Sequence, residues 1–480
     1  MKRRRFLKYA GATAAVVGAS ALGLDYVLNP RQLSGNQTTT PPSSTLTSRP
    51  EILNLEWNPS EVTNSKVYDG SVSFQVDSES VPLAVEIDFN PSSPSEIPIA
   101  AIPHESPRTY NLTSNSTSAT LSQPITNLIG GKKYTSVVTA KDSRGLEAQS
   151  ALDITYVREF EKLSANLNLG AYYLPWRNLA DPTRSDMQQM RSELSAIGLA
   201  PLLGYYGYRT YDPFFINKQI DWSTGYKIGH WLNSFWADSR LQLLLSQPLI
   251  QDIEIGIMYE SADLLKVTNL NGWGLYNVSD PQNLATLEQH MTVLAETFFD
   301  NPQVWKINGN PVIELYWSHH FMGDVPNAIG HIRDVAQSYG FKPFIVGDEL
   351  WYYPTPAWSP DWLKSYDAIT AHLLHGDSQA HVTDENYEEW LDTTFNDWSK
   401  RGKLIPFATP SFGPTFDQPD ATIERSPSRF ETRIEIAKKY VNSELDTLMI
   451  TSFNDWADLS PVEPTTKEEF TYLQVVKDNF

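Results

Sequence analysis

The chain has 480 residues, of which 41% are hydrophobic, a formal net charge of -20 and no cysteine. Such a length predicts two or three domains of about 100–200 residues each, and the apolar content is sufficient for a folded core. The absence of cysteine excludes disulfides and thiolate chemistry, while the acidic balance argues against nucleic acids and anionic membranes as partners.

The N-terminus has the organisation of an export signal. Residues 1–8 are strongly basic, a short weakly polar stretch follows, and Ala19-Ser-Ala21 matches an A-x-A cleavage pattern. The run Arg3-Arg-Arg-Phe-Leu-Lys8 resembles the twin-arginine consensus, which implies export of an already folded protein. We therefore expect a signal peptide over residues 1–29 and an extracytoplasmic protein, secreted or at the cell surface. An uncleaved leader would anchor it in the membrane.

A linker and a small β domain are predicted next. Residues 30–50 are rich in Thr, Ser, Pro and Gln, with too few apolar residues to fold. Over residues 51–158, short alternating runs such as Val72-Ser-Phe-Gln-Val76 are separated by turn residues, which is typical of an all-β sandwich. The stretch 128–145 resembles the late strands of fibronectin type III domains, where a Tyr, here Tyr134, opens the penultimate strand. We expect a spacer or accessory role for this region.

After Phe160, short apolar runs alternate with helix-like stretches. Strands are predicted at 169–173, 228–232, 253–258, 311–315, 343–346, 368–370, 404–407 and 447–450, and helices at 283–299, 328–339, 387–400 and 428–442. Eight such strand candidates within residues 166–480 predict an α/β fold, an eightfold β/α (TIM-type) barrel, with a doubly wound sheet as the alternative. No glycine-rich nucleotide or phosphate loop follows any of them, so no cofactor is expected.

The predicted strand ends are rich in aromatic residues and carboxylates. In a β/α barrel, the loops after the strands converge on one catalytic mouth. Aromatic faces stack on sugar rings, and carboxylates bind hydroxyls or transfer protons, so this pattern favours a carbohydrate site. The candidate substrate contacts are Tyr173, Trp176, Trp231, Glu260, Trp317, Glu349, Asn454 and Trp456. Core packing is the alternative for Trp176, Trp231 and Trp317, and a buried structural acid is the alternative for Glu260.

The most specific motif follows the last predicted strand, in the segment Thr451-Ser-Phe-Asn-Asp-Trp-Ala-Asp-Leu-Ser-Pro-Val-Glu-Pro464. It resembles the Ser-Phe-Asn-Glu-Trp-x-Glu-Gly-Thr-x-Ile-Glu-Pro pattern of glycoside hydrolase family 99, which includes the endo-α-mannosidases, and of its relatives in polysaccharide biosynthesis clusters. Weaker matches occur at Tyr172-Tyr-Leu-Pro-Trp176 and Ile257-Met-Tyr-Glu260, so the resemblance extends from about residue 167 to the end.

The resemblance implies a retaining glycosidase. In that family, the first Glu of the motif is the base on the sugar 2-hydroxyl and the second is the general acid/base, and these roles fall on Asp455 and Asp458. The departure from the pattern is that both are Asp, whose carboxyl lies about 1.5 Å further back. A displacement of about 1 Å can reduce a rate a hundredfold. Capping of a following helix is the alternative for Asp455, and a solvated first-turn acid is the alternative for Asp458.

Spacing gives independent support to this pair. Carboxylates three residues apart share one face of a helical turn, and retaining glycosidases place two carboxyls about 5–5.5 Å apart. Asp348 and Glu349, after the fifth predicted strand, are the rival acids. The histidines at 319, 320, 372 and 375 match no standard metal spacing, and we interpret them as hydrogen-bonding groups near a sugar.

The sequence therefore predicts an exported glycoside hydrolase that acts on an α-linked oligosaccharide or polysaccharide, such as an α-mannoside. Two alternatives stay open. One is a catalytically impaired relative that binds glycans, which the two Asp residues favour. The other is a polysaccharide-assembly enzyme, against which the export leader argues, because activated sugar donors are usually cytoplasmic.

Overall fold

The computed structural model describes residues 48–59, 68–91, 109–128, 134–154, 158–174, 192, 194–195, 197–203, 213–270, 273–350, 361–372, 384–413 and 423–480. The predicted leader and almost all of the predicted linker lie outside these ranges. No helix within them is both long enough and apolar enough to cross a membrane.

The N-terminal region forms two antiparallel sheets, which we call the β domain. Its strands are β1 (Glu51–Pro59), β2 (Tyr68–Asp77), β3 (Leu83–Pro91), β4 (Thr109–Ser114), β5 (Ser118–Leu128), β6 (Tyr134–Lys141) and β7 (Glu147–Ile154). One sheet has the order β1-β2-β5 and the other the order β4-β3-β6-β7.

Alternating side chains explain how these sheets pack. Every second residue of β6 is buried, the period expected of a strand with one face on a core. Phe74 of β2 and Val85 and Ile87 of β3 belong to one hydrophobic cluster, so the two sheets share a core. The predicted all-β region is confirmed as a pair of antiparallel sheets. Its likeness to fibronectin type III stays a prediction, and residues 129–133 of that stretch lie outside the described ranges.

The C-terminal region is built on parallel strands that form a ring. They are β8 (Asn168–Tyr173), β9 (His230–Phe235), β10 (Glu254–Tyr259), β11 (Asn310–Leu315), β12 (Phe344–Asp348), β13 (Ala368–Thr370), β14 (Phe407–Ala408) and β15 (Thr447–Ile450). Neighbours pair in parallel along the order β13-β12-β11-β10-β9-β8-β15-β14. A parallel bridge between Ile369 of β13 and Leu404, just before β14, closes the ring. The predicted eight-stranded parallel barrel is confirmed.

Helices and short segments connect these strands. The helices are α1 (Pro213–Gly225), α2 (Arg240–Leu245), α3 (Ser261–Leu264), α4 (Pro281–Thr297), α5 (Val325–Ser338), α6 (Tyr387–Trp398), α7 (Pro427–Lys439) and α8 (Thr471–Asn479). Short 3-10 turns are Pro248–Asp252, Ser318–His320, Asp361–Ser365 and Asp384–Asn386, and short additional strands are Thr268–Leu270, Trp273–Asn277, Lys306–Ile307 and Phe321–Met322.

Helix α5 illustrates why these sequences become helical. Asp324 caps it by accepting a hydrogen bond from the backbone N–H of Asn327, and a Pro occupies its first turn. Its buried residues recur every three or four positions, which places them on one stripe: Val325, Ala328, Ile329, Ile332 and Ala336. This stripe is the face that α5 buries.

The barrel strands are buried almost throughout, as expected of a parallel sheet covered on both faces. In β11, every residue after Asn310 is buried, including Glu314. Gly347 of β12 allows a close approach, because a Cβ at this position would lie 2.6 Å from Cδ2 of Tyr366. The Tyr366 ring therefore packs directly beside the end of β12, where Asp348 and Glu349 follow.

Candidate active site

Most of the predicted site residues lie where β8, β10, β11, β12 and β15 end, at the edge of the barrel that we call the mouth. The predicted residues at the mouth are Tyr173, Glu260, Trp317, Glu349, Asn454, Asp455, Trp456 and Asp458. Trp231 is a correction, because β9 ends at Phe235 rather than at residue 232, and Trp231 therefore lies inside the strand as its second residue, away from the mouth. Trp176 lies outside the described residues.

Asp455 is held by the turn that follows β15. Its backbone N–H donates to Ser452 Oγ at 2.6 Å, and its Oδ1 accepts from the backbone N–H groups of Ala457 and Asp458 at 3.0 and 3.3 Å. Residues 456–459 form a turn rather than the expected helix, and the next helix, α8, begins at Thr471. Asp455 therefore does cap a turn with one oxygen, while Oδ2 faces another residue.

That residue is His372, which follows β13 and lies between the two predicted catalytic acids. Its Nε2 is 3.8 Å from Oδ2 of Asp455, and its Nδ1 is 4.0 Å from Oδ2 of Asp458. The side chains of His372 and Asp455 are 2% and 1% exposed, whereas that of Asp458 is 23% exposed. One carboxylate is thus buried and the other reaches the solvent, with an imidazole facing both.

Asp348 fixes the backbone on two sides of the mouth. Its Oδ1 accepts the backbone N–H of His372 at 3.2 Å, and its Oδ2 accepts the backbone N–H of Trp317 at 2.8 Å. The carboxylate therefore joins the ends of β11 and β13 through β12. This use of both oxygens distinguishes Asp348 from Glu349, so the two adjacent acids have different surroundings.

Two tyrosines pack edge-on against the His372 ring. The ring centroid of Tyr172 lies 4.8 Å away at an interplanar angle of 85°, and that of Tyr316 lies 5.8 Å away at 84°. Burial raises the pKa of Tyr316 well above its usual value, and four carboxylates act in the same direction: those of Glu260, Asp458, Asp348 and Asp455. Tyr316 therefore lies among the acids of the mouth and keeps its proton.

Glu314 lies deeper in the barrel. The hydroxyl of Tyr172 donates to its Oε2 at 2.8 Å. Burial and the charge of Asp348 raise the pKa of Glu314 well above its usual value, which favours the protonated form. A void of about 10 Å³, roughly the space of one water molecule, adjoins Glu314 inside the barrel.

The two predicted substrate-contacting acids are both buried, at 2% exposure each. Glu260 accepts a hydrogen bond from the hydroxyl of Ser234, which also accepts from the indole N–H of Trp236 at 2.8 Å. Glu349 accepts from the hydroxyl of Ser318 at 2.7 Å. Burial raises the pKa of Glu349 to about 7, although its hydrogen bonds act in the opposite direction.

Three of the predicted aromatic contacts belong to a buried layer behind the mouth. Tyr173, Trp231 and Trp456 are at most 1% exposed, and the Tyr173 and Trp231 rings stack at 3.8 Å. Gln219 of α1 accepts from the Tyr173 hydroxyl and donates to Glu463, which also accepts from the Trp456 indole at 2.8 Å. In this conformation, these rings support the loops, and their faces are covered.

Asn454 links two mouth loops. Its Oδ1 accepts the backbone N–H of Leu174 at 2.7 Å, and its Nδ2 donates to the Leu174 carbonyl at 3.4 Å. The side chain is fully buried. The loop after β8 is therefore fastened to the loop after β15, which fixes the backbone next to Asp455.

Trp317 and Tyr316 are partly exposed and directly follow β11. Trp317 adopts a left-handed conformation with φ of 61°, which is uncommon for a bulky residue and is maintained by its hydrogen bond to Asp348. Trp236, after β9, is also partly exposed. These three aromatic residues are therefore less completely buried than the aromatic layer behind the mouth.

One group of side chains among the described residues could hold a metal ion. One donor atom from each of His372, Asp455 and Asp458 lies within 4.8 Å of the others. By contrast, the Nδ1 atoms of His319 and His320 contact the backbone carbonyls of Asp348 and Gly274, at 3.0 and 2.8 Å. His375 and Asp377 lie outside the described residues.

Strand-end position in the sequence identified most of these residues but not their pairing. The sequence analysis interpreted His372 as a hydrogen-bonding group near a sugar rather than a metal ligand, treated Asp348 as a rival acid, and gave Tyr316 no role. Glu314 lies inside β11, one residue before its end. It is therefore not found when only the loops after the strands are considered. Its signal is an acid within an otherwise apolar strand, Pro311-Val-Ile-Glu-Leu315.

The chain resembles solved structures at low identity. No protein-family model matches it, and no curated protein does. A "glycoside hydrolase-like protein" has a TM-score of 0.48 and 15% identity over 67% of this chain and 95% of that one. The GH99 endo-alpha-mannosidase from Bacteriodes thetaiotaomicron has a TM-score of 0.46 and 16% identity over 65% and 95%. A family 39 glycoside hydrolase from Bacteroides cellulosilyticus has a TM-score of 0.38 and 9% identity over 89% and 82%.

Proposed function

We propose that this chain is a glycoside hydrolase that cleaves an α-linked glycan with retention of configuration. The observation that carries the proposal is the arrangement of Asp455 and Asp458 around His372 at the mouth. Donor atoms of all three lie within 4.8 Å of one another, a spacing that fits the short separation of carboxyls in retaining enzymes better than the about 6.5–9.5 Å of inverting ones.

The two acids differ in the way that the two roles require. Asp455 is buried and its Oδ1 accepts two backbone N–H groups, which fixes the orientation of the carboxylate that serves as the base. Asp458 reaches the solvent, where a leaving group departs and a water molecule enters. We assign Asp455 as the base on the sugar 2-hydroxyl and Asp458 as the general acid/base.

The reaction then has two displacements. In the first, Asp455 accepts the 2-hydroxyl proton, O2 attacks C1, the bond to the leaving oxygen breaks, and Asp458 protonates that oxygen. In the second, Asp458 accepts a proton from water, the water oxygen attacks C1, the C1–O2 bond breaks, and Asp455 returns its proton to O2. Two inversions give net retention and restore both side chains to their starting protonation states.

This chemistry restricts the substrate. Attack by O2 requires O2 and the leaving group on opposite faces of the ring, as in an α-mannoside. The acidic chain, with a net charge of -20, favours a neutral glycan over a polyanion. The partly exposed rings of Tyr316, Trp317 and Trp236 are the proposed stacking surface, and Glu260 and Glu349 are the proposed hydroxyl contacts. We also propose that the protein works outside the cytoplasm, as its leader predicts.

The test is Asp458→Asn in the purified protein, assayed on α-manno-oligosaccharides. We expect kcat/KM to fall by about 100-fold to 10,000-fold, because general acid catalysis contributes that much, while glycan binding survives. Asp334→Asn, on the exposed side of α5, is the matched control and should behave as wild type. Unchanged turnover in Asp458→Asn, or an NMR time course in which the inverted anomer forms first, would contradict the proposal.

A second candidate, a glycan-binding protein without turnover, is favoured by one observation. Oδ1 of Asp455 is already engaged by two backbone N–H groups, as in an ordinary capped turn. This candidate predicts glycan binding with no release of reducing ends from any α-linked oligosaccharide. Wild-type protein that binds but never cleaves would establish it in place of the hydrolase.

A further inference from the structure

The segment that follows β11 is held by the two residues at the end of β12. The backbone N–H of Trp317 donates to Oδ2 of Asp348 at 2.8 Å. The hydroxyl of Ser318 donates to Oε1 of Glu349 at 2.7 Å. Nδ1 of His319 lies 3.0 Å from the carbonyl oxygen of Asp348. The segment is therefore fixed at three consecutive residues rather than at a single point.

Trp317 has an unusual backbone conformation. Its φ of 61° and ψ of 27° lie in the left-handed region, which a bulky residue rarely adopts. Such a conformation persists only where the surroundings impose it, and it is concentrated at sites that bind or react. Asp348 supplies part of this constraint, because it holds the Trp317 N–H. A change to an extended backbone would turn the Cα–Cβ bond and move the indole ring away from its present place.

The Trp317 ring lies against other rings of the same segment. Its centroid is 6.0 Å from that of Tyr316 and 5.0 Å from that of His320. The side chain of Trp317 is partly exposed, unlike those of the aromatic layer behind the mouth. Because all three rings belong to one short segment, the backbone of that segment decides where the exposed part of the indole ring lies.

The second oxygen of Asp348 holds a residue that faces the two proposed catalytic acids. Oδ1 accepts the backbone N–H of His372 at 3.2 Å. The His372 ring lies 3.8 Å from Asp455 and 4.0 Å from Asp458. Asp348 is itself fully buried, so it acts through these backbone groups. One side chain therefore fixes Trp317 relative to the part of the mouth where the two acids lie.

We propose that Asp348 is a positioning residue for glycan binding. It holds Trp317 in the left-handed conformation, and this conformation places the indole ring where it stacks on a sugar at a fixed distance from the two acids. This inference rests on the proposed function, because it takes Trp317 as a ring that contacts the glycan. The alternative is that Asp348 only joins the strand ends, and the two roles differ in what happens once the Trp317 ring is absent.

A double-mutant cycle on glycan affinity separates these roles. Asp458→Asn is the background, because under the proposed function it binds an α-manno-oligosaccharide without cleaving it. Trp317→Gly removes the ring and suits a left-handed backbone, and we expect the Kd to rise by about tenfold. Asp348→Asn has one acceptor oxygen in place of two, so one of its hydrogen bonds is lost and the Kd should rise by about fivefold.

The combined variant gives the decisive value. With both substitutions, the Kd should rise by no more than in Trp317→Gly alone, because no ring is left to position. Independent effects would multiply to about 50-fold, and that result would overturn the inference, as would an unchanged Kd in Asp348→Asn. If Asp348→Asn does not fold, Ser318→Ala removes the neighbouring hydrogen bond and replaces it in the same cycle, with the same two outcomes.

Asp367→Asn is the matched control. Asp367 also accepts a backbone N–H of β12, that of Ile345 at 2.8 Å, but at the end of the strand opposite the mouth. Its substitution should lower the unfolding temperature and leave the Kd unchanged. In the otherwise wild-type protein, Asp348→Asn should also lower kcat by about tenfold, because the sugar is displaced from the acids. An equal rise of the Kd in Asp367→Asn would assign the effect to general destabilisation and overturn the inference.

A spectroscopic measurement keeps the inference separate from the proposed function. In protein labelled with 5-fluorotryptophan, the 19F signal of Trp317 is identified by its loss in Trp317→Phe. We expect this signal to shift or divide in Asp348→Asn and to stay in place in Asp367→Asn. An unchanged signal in Asp348→Asn would overturn the inference. If the wild-type protein cleaves no glycan while the cycle on the Kd behaves as expected, the proposed hydrolase fails and the positioning role stands. Absence of any glycan binding would overturn both.

Discussion

The β domain and the barrel bury charge in different amounts. Among the described residues, Asp142 is the buried acid of the β domain, and it caps a turn while pairing with Arg144 at 2.7 Å. The described part of the barrel region buries many more: Asp221, Glu260, Glu314, Asp348, Glu349, Asp455 and Glu463. Burial of an acid is unfavourable unless other groups compensate for its lost hydration, so a cluster of this kind indicates a chemical role.

Some of the buried acids of the barrel region have a structural role. Asp221 of α1 accepts the backbone N–H groups of Glu159 and Phe160 and lies 3.4 Å from Arg158, so it holds the segment before β8. Glu463 fastens the buried aromatic layer. The acids that remain lie at the mouth or just below it, and two of them, Asp348 and Asp455, also accept backbone N–H groups. The comparison therefore leaves a group of buried acids at one end of the barrel that has no counterpart among the described residues of the β domain.

The largest expected effect is that of substituting Asp455, and it tests whether the buried acids of the barrel region have a chemical role. Asp455→Asn keeps an oxygen for the N–H groups of Ala457 and Asp458, so the turn should survive, but it removes the proposed base. We expect kcat/KM on α-manno-oligosaccharides to fall by about 1,000-fold, which corresponds to about 4 kcal/mol of transition-state stabilisation. The unfolding temperature should stay within a few degrees of wild type. Full activity in this variant would reduce Asp455 to a turn cap, like Asp142.

How far the sequence predicts this molecule depends on which interactions decide each feature. The strands and the outer helices were predicted closely, because burial and helical periodicity act over short stretches; helix α6 begins at Tyr387 as expected. The seventh strand was predicted at 404–407, but regular pairing covers only Phe407–Ala408, and Leu404 contributes the closing bridge. Closure of the ring depends on the positions of all the strands, so a local sequence pattern does not predict which residues form the closing bridge.

The candidate site was predicted in position but less well in detail. Asp455 and Asp458 follow a strand end, so their place at the mouth follows from parallel topology. The contact of both with His372 joins residues more than eighty positions apart and depends on side-chain orientation, which a sequence does not display. Trp231 was predicted next to the end of a strand at 228–232, but β9 continues to Phe235, so Trp231 lies in the body of the barrel rather than at its rim.

A second, smaller effect concerns the raised pKa of Glu349. A carboxyl with a pKa of about 7 in the folded state, against a usual 4.5, binds more protons when folded. Its contribution to stability is therefore lost as the pH rises from about 4.5 to about 7, by about 3 kcal/mol in total. Glu349→Gln does not titrate, so its stability relative to wild type should increase by roughly this amount between pH 4 and pH 8.

Urea unfolding of the barrel at the two pH values would measure this difference. Glu389→Gln, on the exposed side of α6, is the matched control, and its stability relative to wild type should not vary with pH. A relative stability of Glu349→Gln that stays constant from pH 4 to pH 8 would mean that Glu349 is hydrated in solution. The contrast between a barrel that buries titrating acids and a β domain that does not would then be weaker.

The smallest expected effect concerns the β domain. Ile87 is fully buried in the shared core of the β domain, and Ile87→Val removes one methylene there. Such a change typically destabilises by about 0.5–1.5 kcal/mol, so the unfolding transition of the β domain should weaken by that amount. Because the acids that carry the proposed reaction all lie at the barrel mouth, kcat/KM should equal the wild-type value. A change in kcat/KM greater than about twofold would show that the packing of the β domain reaches the mouth, and the two regions would have to be treated as one catalytic unit.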